Sequence, residues 1–180
     1  MAGNDNPQAI RFLESMARHG RQEAGNRFAE EHPLPESADN REAFQWAEDL
    51  CAFLNENYDD GTIQTIRMDC ACGPEFGKDQ LRELYREARD PYVFAEKTNR
   101  LDLGFSLEYD GNAYDMIYPE CYCPCVKDTD GQLPRAWCYC TAGYNKRLFE
   151  YILDREVRAE LISSVKQGDT ECRIRITAQG

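Results

Sequence analysis

Apolar positions recur at helical spacing through roughly the first 60 residues. Ile10, Leu13, Met16 and Ala17 form one stripe, and Arg21 to Glu31 is weakly amphipathic around Phe28. Pro33-Leu34-Pro35 interrupts the pattern, because proline removes a backbone donor and restricts the residue before it. Ser37 or Asp39 then supplies an N-cap for a longer helix with the face Phe44, Ala47, Leu50, Cys51 and Leu54, ending near Asp60-Gly61. Trp46 reads as core on the same helix, and a further helix over about Lys78 to Glu87 carries Leu81, Leu84 and Tyr85.

The period then changes to two. Phe105, Leu107 and Tyr109 alternate towards Asp110-Gly111, and Tyr114, Met116 and Tyr118 alternate away from it, which predicts a hairpin. Arg135 to Cys140 reads as a strand, followed by a helix near 144–153 with Leu148, Phe149 and Ile152 inward. Val157, Ala159, Leu161, Ser163 and Val165 alternate with Arg158, Glu160, Ile162 and Ser164, and after Gly168 the residues Cys172, Ile174 and Ile176 alternate with Glu171, Arg173 and Arg175. That is a hairpin with one buried and one charged face. The fold class expected is α+β, with N-terminal helices packed on an antiparallel sheet that ends in a C-terminal β-hairpin. A single domain over 1–180 is expected, mainly helical over 1–90, with the sheet part over 100–178.

The charge narrows the function classes. Twenty-one basic against thirty-three acidic residues give a net charge of −12, which repels a phosphate backbone, so direct nucleic-acid binding is not expected. No apolar run approaches the ~20 residues of a membrane span, and the N-terminus lacks the basic and apolar regions of a signal peptide. A cytoplasmic location is the expectation.

Nine cysteines change the picture most. Cys70-x-Cys72 is followed by Cys121-x-Cys123-x-Cys125 and by Cys138-x-Cys140, while Cys51 and Cys172 stand alone on apolar faces, Cys51 as a plain buried thiol. In a reducing compartment such clusters favour metal binding or redox chemistry over structural disulfides. Side chains two apart on a straight strand lie roughly 6.6 Å from each other. Sulfurs on one tetrahedral zinc sit only ~3.8 Å apart, so chelation needs a turned backbone. Pro119 and Pro124 around the triple cysteine, and Gly73-Pro74 after Cys72, supply turns. Cys121, Cys123, Cys125, Cys138 and Cys140 are therefore candidate ligands of a metal, zinc by preference; reversible thiol redox chemistry and inert thiols are the alternatives. The Cys-x2-Cys spacing common in iron–sulfur sites is absent, and an all-thiolate zinc site points to structure rather than catalysis.

Only His19 and His32 are available as imidazole bases, which leaves little room for a Ser-His-Asp or Cys-His mechanism. Tyr114, Tyr118, Trp137 and Tyr144 are candidate ligand-binding residues, since aromatic rings with a polar tip orient small molecules; plain packing of the sheet is the preferred account of the alternating aromatics. The acidic stretch Glu108, Asp110, Asp115 and Glu120 reads as solvated, and so do Lys146 and Arg147.

Cys138-Tyr139-Cys140-Thr141-Ala142-Gly143-Tyr144, a helix, Glu156-Val157, a strand, and Gly168-x3-Cys172-x-Ile174 resemble the C-terminal part of vinyl-reductase-type domains. These share a fold with Bet3-like trafficking subunits and with the sensor modules of aromatic-responsive regulators. A little-characterised bacterial group with Cys-Tyr-Cys-Pro and a later Cys-x-Cys-Thr is more similar still. The resemblance covers about the last 45 residues, with the general helices-then-sheet order. It implies an apolar ligand pocket between helices and sheet. Zinc-binding members carry Glu-x-x-Cys before the final Gly-x3-Cys; here those positions are Leu161 and Ser164, so that site does not carry over intact. Cys138 or Cys140, with Cys172, match the remaining cysteine positions.

Three functions follow as expectations. One is a stand-alone small-molecule-binding or sensor-type domain, not itself an enzyme, for a small apolar ligand, with a structural or redox-sensitive metal on the cysteines. The second is a hydrolase resembling the amino-thiazoline-carboxylate hydrolases, with Cys121 to Cys140 supplying nucleophile or ligands. The third is a protein-interaction subunit, with a homodimer as one form.

Overall fold

The computed structural model of the chain describes residues 3–73 and 77–180. Among the described residues seven α-helices and four antiparallel strands make an α+β fold, in the order α1(Pro7–Arg18), α2(Gln22–Glu31), α3(Asn40–Asn57), α4(Asp60–Asp69), α5(Lys78–Ala88), α6(Pro91–Asn99), β1(Ser106–Tyr109), β2(Tyr114–Tyr118), α7(Arg135–Leu153), β3(Val157–Ser163) and β4(Cys172–Ala178). No helix is long and apolar enough to cross a membrane among the described residues. The turn expected at Pro74 lies outside them, as do Met1 and Ala2.

The chain divides into two compact units, one of Met1–Ala71 with Tyr122–Cys140, the other of Cys72–Cys121 with Thr141–Gly180. In the first, caps set the helix starts. Asn6 accepts from Gln8 N at 3.0 Å ahead of Pro7, and Asp39 and Glu42 form a reciprocal capping box on α3. The core is aromatic: Phe12 meets Phe28 edge-on at 5.5 Å and Trp46 at 6.2 Å, and Trp46 meets Trp137 at 6.3 Å. The inward face of α1 is Ala9, Phe12 and Met16, with Gln8 and Ser15, whereas Ile10 is exposed, so the expected stripe is rotated by one position.

In the second unit the sheet order is β1-β2-β4-β3. Leu107, Met116, Ile174 and Leu161 pair in one row across all four strands, and every one of them is buried. The adjacent row, Glu108, Asp115, Arg175 and Glu160, lies on the opposite face. Arg173 bonds Glu108 and Asp115 there, both at 3.0 Å, and relieves two like charges paired across β1 and β2. Both expected hairpins are present. In the second, a register shift between Leu161 and Ser163 moves the alternation by one, so Ser164 is buried in place of Ser163. Phe94 of α6 and Phe149 of α7 both pack against Tyr114, at 5.9 and 5.4 Å.

Three elements differ from the pattern reading. Arg135 to Cys140 is the start of α7 rather than a strand. Residues 136–140 are all buried, and a helix covered on every side shows no 3.6-residue alternation. α4 and α6 were not expected as separate helices. Each is short and opens on an aspartate N-cap, Asp59 accepting from Thr62 N at 3.0 Å and Asp90 from Val93 N at 3.0 Å.

Candidate functional site

The first unit contains a buried cation. α4 turns Ile63, Ile66 and Arg67 inward at helical spacing, and Arg67 is fully buried. Its Nε donates to the carbonyl of Ala136 at 3.3 Å and its Nη2 to that of Trp137 at 2.9 Å, both at the start of α7. The guanidinium carbon lies 4.7 Å from the centre of the Trp137 ring, a cation–π contact. Nη1 is buried with no hydrogen-bond partner.

Arginine stays protonated in proteins, so this is a permanent charge removed from water. Burial lowers its pKa, but attraction to Cys70, Cys140, Cys51 and Cys123 in their thiolate form raises it above the ordinary arginine value. The thiols respond in turn. Burial pushes Cys51 up to about 11, with Arg67 and a bond from the Trp137 backbone pulling the other way. Burial also raises Cys70, against Arg67 and Ser15. Cys70 Sγ donates to Ile66 O at 3.3 Å, the carbonyl that also accepts from Ser15 Oγ at 2.7 Å. Cys140 Sγ donates to Trp137 O at 3.4 Å, sharing that oxygen with Arg67.

Cys123, Cys125, Cys138 and Cys140 of the expected metal set belong to this unit, and Cys121 closes a segment of the other. Cys138 and Cys140 stand on α7, where residues two apart point to well-separated directions, so that pair does not chelate one ion as a turned Cys-x-Cys would. Among the described residues no three histidine, cysteine or carboxylate side chains are grouped to hold a metal ion.

A shallow polar cavity of about 270 Å³ opens in the same unit, lined by His19, Arg21, Asp59, Gly61, Thr62, Thr65 and Ile66. At its rim His19 Nε2 meets Asp69 Oδ2 at 2.9 Å, and Arg18 Nε meets the same oxygen at 3.2 Å. Thr62 holds the Asp59 carboxyl below the usual carboxylate range through its backbone N–H and its hydroxyl.

Of the candidate ligand-binding residues, Trp137 is core of the first unit and Tyr114, Tyr118 and Tyr144 belong to the second. Tyr114 is buried and its hydroxyl has no hydrogen-bond partner. Burial raises its pKa. Tyr118 donates to Asn145 Oδ1 at 3.1 Å, and burial raises its pKa too. The Tyr144 ring covers Gly73 so closely that a Cβ there would fall 2.0 Å from Cδ2. Cys172 Sγ accepts from Val165 N at 3.4 Å in the β3–β4 turn.

Arg67 is the residue that pattern reading missed. Its signal is present: a cation at the core positions of a helix, three residues before Cys70. Cys51 is buried as expected, but on the same centre.

A family model described as "Family of unknown function (DUF6144)" matches residues 9–180. No curated protein matches the chain. Similar solved structures include a trafficking protein particle complex subunit 3 from Naegleria fowleri covalently bound to palmitic acid. It is 16% identical with a TM-score of 0.44, over 78% of this chain and 95% of that one. An H-NOX protein from S. oneidensis in the Fe(II) ligation state is 13% identical with a TM-score of 0.45, over 97% of this chain and 96% of the other. The H-NOX domain of Shewanella oneidensis in the Fe(II)CO state is 15% identical with a TM-score of 0.43, over 100% and 99%.

Proposed function

We propose, for a chain that belongs to DUF6144, a family of unknown function, that it is a small-molecule-binding, sensor-type domain whose sensing element is the thiol centre around Arg67. One observation carries this reading. A fully buried guanidinium has two nitrogens on backbone carbonyls and a third without a partner, and the Cys140 thiol shares one of those carbonyls with it. A buried charge of this kind costs several kcal/mol unless balanced. The balance changes whenever a neighbouring thiol ionises, is oxidised or binds a soft ligand, so the centre couples thiol chemistry to stability.

In this reading the chain is a vinyl-reductase-type domain, supported by the Cys138 to Tyr144 run on α7 and the Gly168 to Cys172 turn. Tyr114, Tyr118 and Tyr144 are the residues offered to a small apolar molecule in the second unit. The setting is a reducing cytoplasm, where the thiols are kept reduced, and the form is a homodimer.

The test compares the melting temperature of the anaerobically purified protein before and after mild oxidation, with metal content and reactive thiols counted on the same sample. A shift that reductant reverses is expected; identical melting in both states overturns the reading. Zinc at one per chain, with thiols exposed only on chelation, would replace the thiol centre by a cysteine-held metal.

A further inference from the structure

We propose that the buried Arg67–Trp137 pair is the binding site of a small inorganic monoanion, of halide size and charge. Both residues belong to the first unit and neither reaches solvent, Arg67 being 0% and Trp137 1% exposed. Arg67 bonds through one edge. Its Nε donates to the Ala136 carbonyl at 3.3 Å and its Nη2 to the Trp137 carbonyl at 2.9 Å. Nη1, which carries two N–H bonds of its own, is buried with no hydrogen-bond partner. The indole Nε1 of Trp137, a donor only, is likewise buried without a partner, and the centre of its ring lies 4.7 Å from the guanidinium carbon. Two orphan donors on two stacked groups call for one kind of partner, an acceptor.

Charge decides which acceptor. Arginine stays protonated, and among the described residues its bonded and stacked partners are two carbonyls and an indole ring, all neutral. A permanent cation out of water without a counter-charge is strongly unfavourable. One negative charge on Nη1 balances it and satisfies the donor through a charge-assisted bond. A doubly charged oxyanion such as sulfate would bring a second charge that these two groups cannot balance. The fit is to chloride, bromide, nitrite or nitrate, held by N–H donors and by charge with no covalent step. The net charge of −12 works against every anion at long range, so selectivity rests on these short contacts. The site stands on the guanidinium and the indole, and no thiol has to react for it to fill.

The experiment uses the reduced full chain exchanged into sodium gluconate, with bromide as the probe at constant ionic strength. Bromide quenches indole fluorescence on contact, so an ion bound beside Trp137 gives a saturable loss of emission, whereas collisions at a surface give a linear one. A saturable loss is expected, with a melting temperature that rises over the same bromide range and gains equal increments per tenfold beyond it. Arg67→Met should abolish both effects. Trp137→Phe keeps an aromatic ring and removes the N–H, and should raise the bromide concentration that gives half the melting shift about tenfold, the worth of one hydrogen bond. Linear quenching with a melting temperature that bromide does not move overturns the site. Should Arg67→Met fail to fold, wild-type crystals soaked in bromide decide. An anomalous bromide peak at hydrogen-bond distance from Nη1 is expected, and an ordered water in that place overturns the inference. The titration is run in reductant, so its outcome is independent of the oxidation test of the thiol centre.

Discussion

Arg67 and Trp137 meet twice: Nη2 donates to the Trp137 carbonyl at 2.9 Å, and the guanidinium lies 4.7 Å from the centre of the indole ring. Charge and ring stack as the hydrogen bond is made, so one residue of α7 both orients the cation and partly replaces its hydration. Trp137 in turn packs edge-on against Trp46, which ties the centre to the aromatic core of the first unit.

Two substitutions separate the packing of Arg67 from its charge. Arg67→Ala leaves a cavity and removes two hydrogen bonds, and should cost about 3–5 kcal/mol. Arg67→Met fills most of the volume and also removes the desolvated charge, so it should cost less than half as much. Urea denaturation in reductant gives the two values. Equal losses would mean that the charge, rather than the volume, is what the core requires.

The acid limb of stability should depend on Asp110. Arg175 bonds its carboxylate, Asn112 N and Ala113 N donate to it at 2.9 and 3.0 Å, and together they hold it down at about 2 from 3.8. A group depressed in the folded state stabilises above its unfolded pKa, and that contribution fades as pH falls through the folded value. Asp110→Asn should therefore flatten the stability profile between about pH 4 and pH 2. Melting curves across that window check it, and a profile as steep as wild type would count against the pairing.

Cys51 acts at the opposite end. Its pKa is raised by burial from 9.0 to about 11, so the folded state favours the thiol over the thiolate. The contribution is complete below the unfolded pKa and is lost as pH rises through the folded one. Cys51→Ala should lower stability at pH 7, because a packed sulfur is removed, yet lose less than wild type between pH 9 and pH 11. Denaturation in reductant at the two pH values tests the crossover.

The legible parts of this fold are those where burial is one-sided. Leu107 to Met116 to Ile174 to Leu161 alternates with a charged row, and both hairpins are readable from that alternation with Asp110-Gly111 and Gly168. Where burial is all-round, period carries nothing, and the start of α7 reads as a strand although it is helical. On that helix the side chains of Cys138 and Cys140, two residues apart, point in well-separated directions. Arg67 is not legible in the pattern, because a single arginine on α4 becomes a held, buried cation only when contacts some 70 residues away in sequence, at Ala136 and Trp137, are formed.

Gly25 gives the sharpest test of packing in the first unit. A Cβ on Gly25 of α2 would lie 2.9 Å from Cβ and 3.2 Å from Cγ of Met16 on α1. The first of these atoms is fixed to the backbone and cannot swing aside, so the helices must separate to admit a methyl group. Alanine in a helix interior gains about 1 kcal/mol over glycine. Overpacking costs about 1–3 kcal/mol. The clash involves a Cβ rather than a side-chain tip, so the penalty belongs in the upper part of that range and Gly25→Ala should be net destabilising by about 1–2 kcal/mol. Urea unfolding of the reduced protein decides the sign. A Gly25→Ala variant more stable than wild type would mean that propensity outweighs contact, and that α1 and α2 have room between them.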